Sequence, residues 1–428
     1  MKTNDILIAG GHVIDPVQQF DGVLDILIKA GTIHNIGRGI EAKGVEVFDA
    51  GGLLVMPGLI DMHAHLREPG FEESETIRTG CESAAAGGFT AVCAMPNTSP
   101  PTDDAGRVRY ILDAAAGAKA RVYPIGAITR GRGGKEIVEM NEMAREGAVG
   151  FSDDGSGVAN ARVMLNALRY AAMVGKPVLT HEEDADLSFG GQMNESALSA
   201  ELGLKGISRL AEDIPVMRDI YLAEYTGTGI HVTHVSTRGS VEIIREAKAR
   251  GVKVTCDVTP HHLTLTEELV ATFDTRYKMK PPLRTMDDID ALREGLQDDT
   301  IDAIATDHAP HAPEVKELEF ADAAFGVTGF ETALSVIHRE LEAKGLLSWQ
   351  DVVRKMSLGP SEILGVEGGT LAVGGIGDVT LYDPNAEWTV DPDTMKSKSK
   401  NTAYIGWELP GRVAATVVGG MVYKNRDD

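Results

Sequence analysis

Eight short apolar runs, each followed by a stretch of helical period, constrain this 428-residue chain more than any other feature. In order they read LIDMHAHL, FTAVCAMPN, RVYPIGAIT, AVGFSDDG, PVLTHEE, IHVTHVS, KVTCDVTPHH and IDAIATDHAP. The intervals hold segments such as SETIRTGCESAAAGG, ARVMLNALRYAAMVG and SVEIIREAKARG. Their apolar residues recur every three and four positions, with Gly at or near the ends as a stop signal. Eight strand–helix alternations predict an α/β fold, a (β/α)8 barrel of the TIM type spanning residues 57–369.

Outside the barrel the style changes. From Asp5 to Met56, short alternating runs are broken by Gly and Asp-Gly turns, which predicts a small antiparallel sheet. The same pattern returns in GTLAVGGIGDVTLYDP and RVAATVVGGMVYKN. Residues 1–56 and 370–428 are therefore expected to co-fold into one small β-sandwich module. Residues 384–405 carry Pro, Asp, Lys and Ser without an apolar period and read as an irregular surface connection.

Composition excludes several classes of function. The 43% hydrophobic content is ample for a continuous core, and 64 acidic against 41 basic residues give a formal charge of -23. Spread along the chain, that charge argues against nucleic acid and anionic membrane as partners. Three cysteines, Cys81, Cys93 and Cys256, lack metal-site spacing and sit among small or apolar neighbours, as buried thiols in a reducing compartment do. With no secretory pattern and no run of about 18 or more apolar residues, the expected location is the cytoplasm.

The chemistry gathers where the apolar runs end. In the first, His63 and His65 are two apart, so a strand presents both imidazoles on one face. Asp154, His181, His234 and Asp307 close later runs, and imidazole with carboxylate is the donor set of a zinc site. Alone, each has a structural rival. His181 can simply cap a strand end. His231 and His234 face opposite sides because their separation is odd, as do Asp153 and Asp154. Barrel enzymes place their chemistry at the C-terminal ends of the strands, where all these residues lie.

The segments PGLIDMHAHLREPG, AGGFTAVCAMPNTSPP, VGFSDDG, THEE, HVTHVST, TPHHLTLT, PPLR, ATDHAPH and GFETAL, in this order, resemble the dihydroorotases of the bacterial class I type, within the metal-dependent amidohydrolase superfamily. The resemblance spans almost the whole chain. It implies reversible hydrolysis of the cyclic amide of dihydroorotate to N-carbamoyl-L-aspartate in pyrimidine biosynthesis. It further implies two zinc ions per chain: His63, His65 and Asp307 would hold one, His181 and His234 the other, with Asp154 bridging. Two such metals roughly 3.5–4 Å apart can hold a bridging hydroxide as nucleophile and polarise the carbonyl. Asp307 would act as general base and then general acid.

For substrate the resemblance implies His65, Arg67, Asn97, His311 and the backbone of Phe325 and Gly326. Arg67 has the planar fork that suits a carboxylate, whereas Asn97 alone reads equally as a turn residue. Lys280 stands where the family commonly has Asn; it either faces the ring as a charged donor or turns outward. His308, His261 and His262 read as supporting residues. The polar segment 312–324 is either a helical insert or, preferably, a lid over the site. Two other readings stay in view. Dihydropyrimidinases, hydantoinases and allantoinases usually bridge their metals with a carboxylated lysine on the fourth strand, and AVGFSDDG has none. Dihydroorotase-like scaffolds that support aspartate transcarbamoylase have lost metal ligands, whereas all six positions are filled here. A homodimer and an association with the transcarbamoylase are both compatible with the resemblance.

Overall fold

The computed structural model describes residues 5–41 and 43–425. Each of the eight apolar runs contributes a strand: β1 (Leu59–Ala64), β2 (Phe89–Ala94), β3 (Arg121–Gly126), β4 (Gly150–Phe151), β5 (Leu179–Thr180), β6 (Ile230–Val232), β7 (Val254–Val258) and β8 (Ala303–Ile304). β1 to β4 pair in sequence as one parallel sheet and β5 to β8 as another. Two parallel bridges join them into a ring: Phe151 with Val178 links β4 to β5, and His308 with Ala64 returns the chain from β8 to β1. Closure leaves no exposed sheet edge. β1 and β2 are buried along their whole length, as parallel strands covered on both faces are.

A helix follows every strand: α1 (Ile77–Ala86), α2 (Ala105–Ala114), α3 (Met140–Glu146), α4 (Ala161–Met173), α5 (Leu210–Thr226), α6 (Arg238–Ala249), α7 (Met286–Gln297) and α8 (Phe330–Ile337). Their starts are written locally. Thr76, Asp104, Asn160 and Thr237 each accept a hydrogen bond from a first-turn backbone N–H, a cap that contributes about 1 kcal/mol. Among the described residues no helix is long and apolar enough to cross a membrane. Cys81, Cys93 and Cys256 are free and buried, in line with the sequence reading.

Both ends of the chain build one eight-stranded sheet; residues 1–4 and 426–428, which the sequence reading included in this module, lie outside the described residues. Its first strand, Ile6–Asp15, pairs antiparallel with Phe20–Lys29, but parallel with Glu46–Asp49 and, further along, with Leu54–Pro57. The sheet is thus mixed rather than antiparallel. The reason is a crossover between residues 37 and 46 that local turn signals do not reveal. Pairing switches at Gly11, where an added Cβ would lie 2.3 Å from Val55 Cγ2. Ile8, Ile26, Ile28, Val55, Val379 and Val417 from both chain ends share one core.

Residues 384–405 correct the sequence reading. The strand Val379–Thr389 runs into them, and Ser397, Ser399, Asn401, Thr402 and Tyr404 are buried. Polar side chains without an apolar period fill this interior because backbone groups of the barrel loops satisfy them, as the hydrogen bond from Ser399 Oγ to Ser74 O illustrates. A further strand pair, Met193–Asn194 with Gly206–Ile207, lies in the long loop between β5 and α5 and has no sequence signal of its own.

Candidate active site

Buried carboxylates fix the strand ends before any functional side chain is placed. Asp61 on β1 accepts backbone hydrogen bonds from His63 (3.2 Å) and Thr306 (3.0 Å) and also the Thr306 hydroxyl, which locks β1 to β8. Burial raises its carboxyl to about 7, against these bonds. Asp257 on β7 accepts from His234 N (2.7 Å) and contacts His231 Nε2 (2.8 Å). His231 is therefore structural and His234 faces the mouth. Asp153 likewise turns away, accepting from the backbone of Ile128 and Thr129. Arg67, His234 and Asp307 have φ of 62°, 37° and 47°. Left-handed backbone at three non-glycine residues costs on the order of 1–3 kcal/mol each, and such geometry persists where the surroundings over-determine it.

Asp154 is the hub. Its Oδ1 lies 3.2 Å from His63 Nε2, 3.4 Å from His181 Nδ1 and 3.6 Å from His234 Nε2, and its Oδ2 lies 3.6 Å from His65 Nε2. Asp307 Oδ1 is 3.0 Å from His65 Nε2 and 3.6 Å from His63 Nε2. Donor atoms of His63, His65 and Asp307 all fall within 4.8 Å of one another, and so do those of His63, Asp154 and His234. His181 Nδ1 sits 3.0 Å from His234 Nε2, while its Nε2 faces Glu183 at 3.1 Å. A carboxylate on the far ring nitrogen orients an imidazole as metal ligands need.

Two further observations test whether these residues fit divalent cations. His63 Nε2 and Asp154 Oδ1 are buried, neighbouring and without a hydrogen-bond partner of acceptable geometry, which in a buried polar cluster demands a compensating group. Burial alone would depress the imidazoles, yet the carboxylates outweigh it and raise His63 to about 10 and His181 to about 9. Asp154 is conversely held well below the usual range. A carboxylate field that holds protons on these rings would hold cations in their place. The donor set fits.

A cavity of about 290 Å³ opens over this cluster. Its wall contains every site residue expected from the sequence except His63, which lies beneath the floor with no exposed surface. That size suits one small ring. Arg67 is pinned by Nε to Pro310 O (2.9 Å) and has Nη2 3.2 Å from His311 Nε2. Burial lowers it to about 10, so it stays cationic at neutral pH. His311, lowered to about 3 by burial and by Arg67, is neutral; its Nε2 lies 2.7 Å from Phe325 O. Asn97 Oδ1 contacts His65 Nδ1 at 2.8 Å. Lys280 faces the cavity, with Nζ 2.6 Å from Glu183 Oε1.

His308 stacks on Phe330 at 4.0 Å and accepts from Gly329 N, outside the cavity wall. His262 lies between Thr259 Oγ1 and Pro281 O, also outside it. Two residues of the site escaped the sequence reading. Glu183 joins His181 to Lys280, and THEE contained it without distinguishing it from Glu182. Asn401 accepts from His311 N and donates to Ala309 O and Gly326 O, bracing the far wall. Gly326 is needed there, since at φ 121° an added Cβ would meet Ala309 Cβ at 2.7 Å.

Residues 312–324 hold one short helix, Pro313–Lys316, and are tied down by two lysines. Lys316 Nζ donates to Lys278 O and Ala324 O, and Lys278 Nζ donates to Phe320 O and Ala321 O. Burial, reinforced by Lys278, lowers Lys316 to about 7. The unfolded chain then binds more protons between about 7 and 10.5, so this group makes stability rise with pH across that window. Replacing Lys316 with Met is expected to flatten the rise. Thermal midpoints of the two proteins, measured across the window, check it; parallel curves would refute it.

Comparison with known proteins follows the same line. A family model described as "Dihydro-orotase-like" matches residues 52–240. Dihydroorotase of Geobacter metallireducens is 51% identical over 423 residues, 98% of this chain and 100% of the relative. That of Pelotomaculum thermopropionicum is 52% identical over 417 residues, 97% of this chain and 98% of its own. Among solved structures, L-hydantoinase (dihydropyrimidinase) from Arthrobacter aurescens superposes with a TM-score of 0.88 at 25% identity, covering 99% of this chain and 97% of that one. Dihydropyrimidinase from Brevibacillus agri gives 0.85 at 23% identity, over 98% and 94%.

Proposed function

Since the chain belongs to the dihydroorotase family, it is a hydrolase of cyclic amides, and we propose that it interconverts dihydroorotate and N-carbamoyl-L-aspartate at the cavity above Asp154. The observation that carries this reading is the pairing of a buried His/Asp cluster with Arg67 on one small cavity. His63, His65 and Asp307 would hold one zinc ion and His181 and His234 a second, with Asp154 shared between them. Bound divalent metal would lower the pKa of a coordinated water to about 7 and polarise the amide carbonyl.

The chain's own groups supply the rest. Arg67 binds the substrate carboxylate through its free N–H groups, and Asn97 contacts the same carboxylate while keeping His65 oriented. Asp307 takes a proton from the attacking water and returns it to the departing ring nitrogen. His311 and the backbone at Phe325 and Gly326 border the ring on the other side. The reading of the site as a hydantoinase is less well supported, because its solved relatives share the fold at about half the identity of the dihydroorotases and the fourth-strand run AVGFSDDG has no lysine to bridge two metals.

The test pairs elemental analysis with turnover of dihydroorotate, carbamoyl-aspartate, dihydrouracil and hydantoin. Two zinc ions per chain with turnover confined to the first two substrates is the expected result. Turnover of only the uncharged rings would overturn it. Lys280 gives a second expectation. A charged donor at the ring contributes about 1.5–3 kcal/mol, so Lys280→Met should raise KM roughly tenfold or more with kcat little changed. An unchanged KM would mean that Lys280 serves only to neutralise Glu183.

A further inference from the structure

A chain of hydrogen-bonded side chains runs between β6 and β7 and ends on a residue of the site. Thr255 Oγ1 lies 2.8 Å from His231 Nδ1, His231 Nε2 lies 2.8 Å from Asp257 Oδ2, and Asp257 Oδ1 accepts from His234 N at 2.7 Å. His231 and Asp257 are buried, and neither belongs to the wall of the cavity above Asp154.

The chemistry assigns a direction to each bond. An ionised carboxylate only accepts, so the imidazole gives it the Nε2 proton and leaves Nδ1 to accept from the Thr255 hydroxyl. With one oxygen on His231 and the other on a backbone N–H, the Asp257 carboxylate has no freedom to rotate. Its main chain acts alongside, since Val235 N donates to Asp257 O at 2.9 Å. Asp257 thus holds the peptide groups on both sides of His234.

That hold matters because His234 stands at φ 37°, a left-handed backbone that a non-glycine residue keeps only where its surroundings fix it. The turn made there brings the His234 ring to Asp154 Oδ1 at 3.6 Å and to His181 Nδ1 at 3.0 Å. The other half of the site is fixed separately. Asp61 holds His63 N and Thr306 N through its own bonds, and no imidazole stands behind it.

We infer that His231 is a positioning residue: acting through Asp257, it sets His234 for one cation and leaves the group of His63, His65 and Asp307 untouched. The inference rests on the proposed pair of metal ions and adds to it a residue remote from both.

Competition of the zinc-loaded chain with a chromophoric chelator should resolve two ions in the wild type. His231→Ala is expected to weaken one of them ten- to a hundredfold, the range for removing a group that orients a metal ligand, and to leave the other unchanged. In a chain that already carries His234→Ala, the same substitution should add nothing, because its route to the metal is gone. His231 borders a cavity of about 370 Å³ at the starts of β6 and β7, so free imidazole can enter the space that His231→Ala leaves and should restore the weakened ion. Chelation by imidazole would act in the opposite direction. Thr255→Val, nearly isosteric at a half-buried position, should weaken the same ion several-fold, and it decides the matter if His231→Ala does not fold. Unchanged zinc binding in every variant that folds, equal weakening of both ions, or a further loss in the His234→Ala chain would overturn the inference. A wild type that binds no zinc would instead sink the two-metal reading, and the inference with it.

Discussion

Asp307→Asn is expected to lower turnover in both directions on the order of a thousandfold, the scale of losing a positioned acid–base group, with the fold and most of the bound metal retained. The amide keeps an oxygen where Oδ1 lies 3.0 Å from His65 and 3.6 Å from His63, so ligation survives in weakened form while proton transfer does not. The surrounding imidazoles, led by the contact from His65, hold the Asp307 carboxyl well below its usual range against the effect of burial. It is thus ionised and ready to accept a proton when attack begins. Two measurements separate its possible roles: zinc per chain, and turnover with excess zinc. Recovery of activity with added metal would reduce Asp307 to a ligand and sink the proton-transfer role.

The same residue illustrates what the sequence could reveal. A donor at the end of an apolar run is visible because the barrel puts chemistry at strand ends, and the two-residue period tells neighbours apart. By that period His231 and His234 had to diverge, as did Asp153 and Asp154, and Asp257 and Thr129 are found holding the inward-turned members. The period could not say which of each pair reaches the mouth; the family resemblance ranked them, with the position of His234 nearer the loop in its favour. What stayed hidden depends on contacts remote in sequence. Asn401 reaches the site from about 90 residues beyond His311, inside a stretch whose polar composition mimics a surface loop. Glu183 needed His181 and Lys280 beside it before its role differed from that of Glu182. The mixed pairing of Ile6–Asp15 was hidden for a related reason, since alternation reports a strand but not the direction of its partner.

Asp154→Asn should have the largest effect on metal. Four imidazoles lie within 3.6 Å of its two oxygens, and removing that charge takes away the one anion that all four share. Zinc content is expected to fall from two per chain to one or none, with turnover lost on the order of a thousandfold or more. The chelated protein gives an independent reading. His63 and His181 are raised by carboxylates that include Asp154, so in the wild type they add stability fully present below the ordinary imidazole value of 6.5 and lost as pH rises through about 9 and about 10. Asp154 itself, held low chiefly by His63 against its burial, adds stability that is fully present above its ordinary value of 3.8 and lost as pH falls through its lowered one. The deficit of the metal-free variant in thermal midpoint should therefore be greatest between 3.8 and 6.5, shrink as pH rises above 6.5, and be small above about 10. A deficit independent of pH would mean that Asp154 matters to the empty site through shape and hydrogen bonding rather than charge, and the argument that a cation replaces the protons on these rings would fail with it.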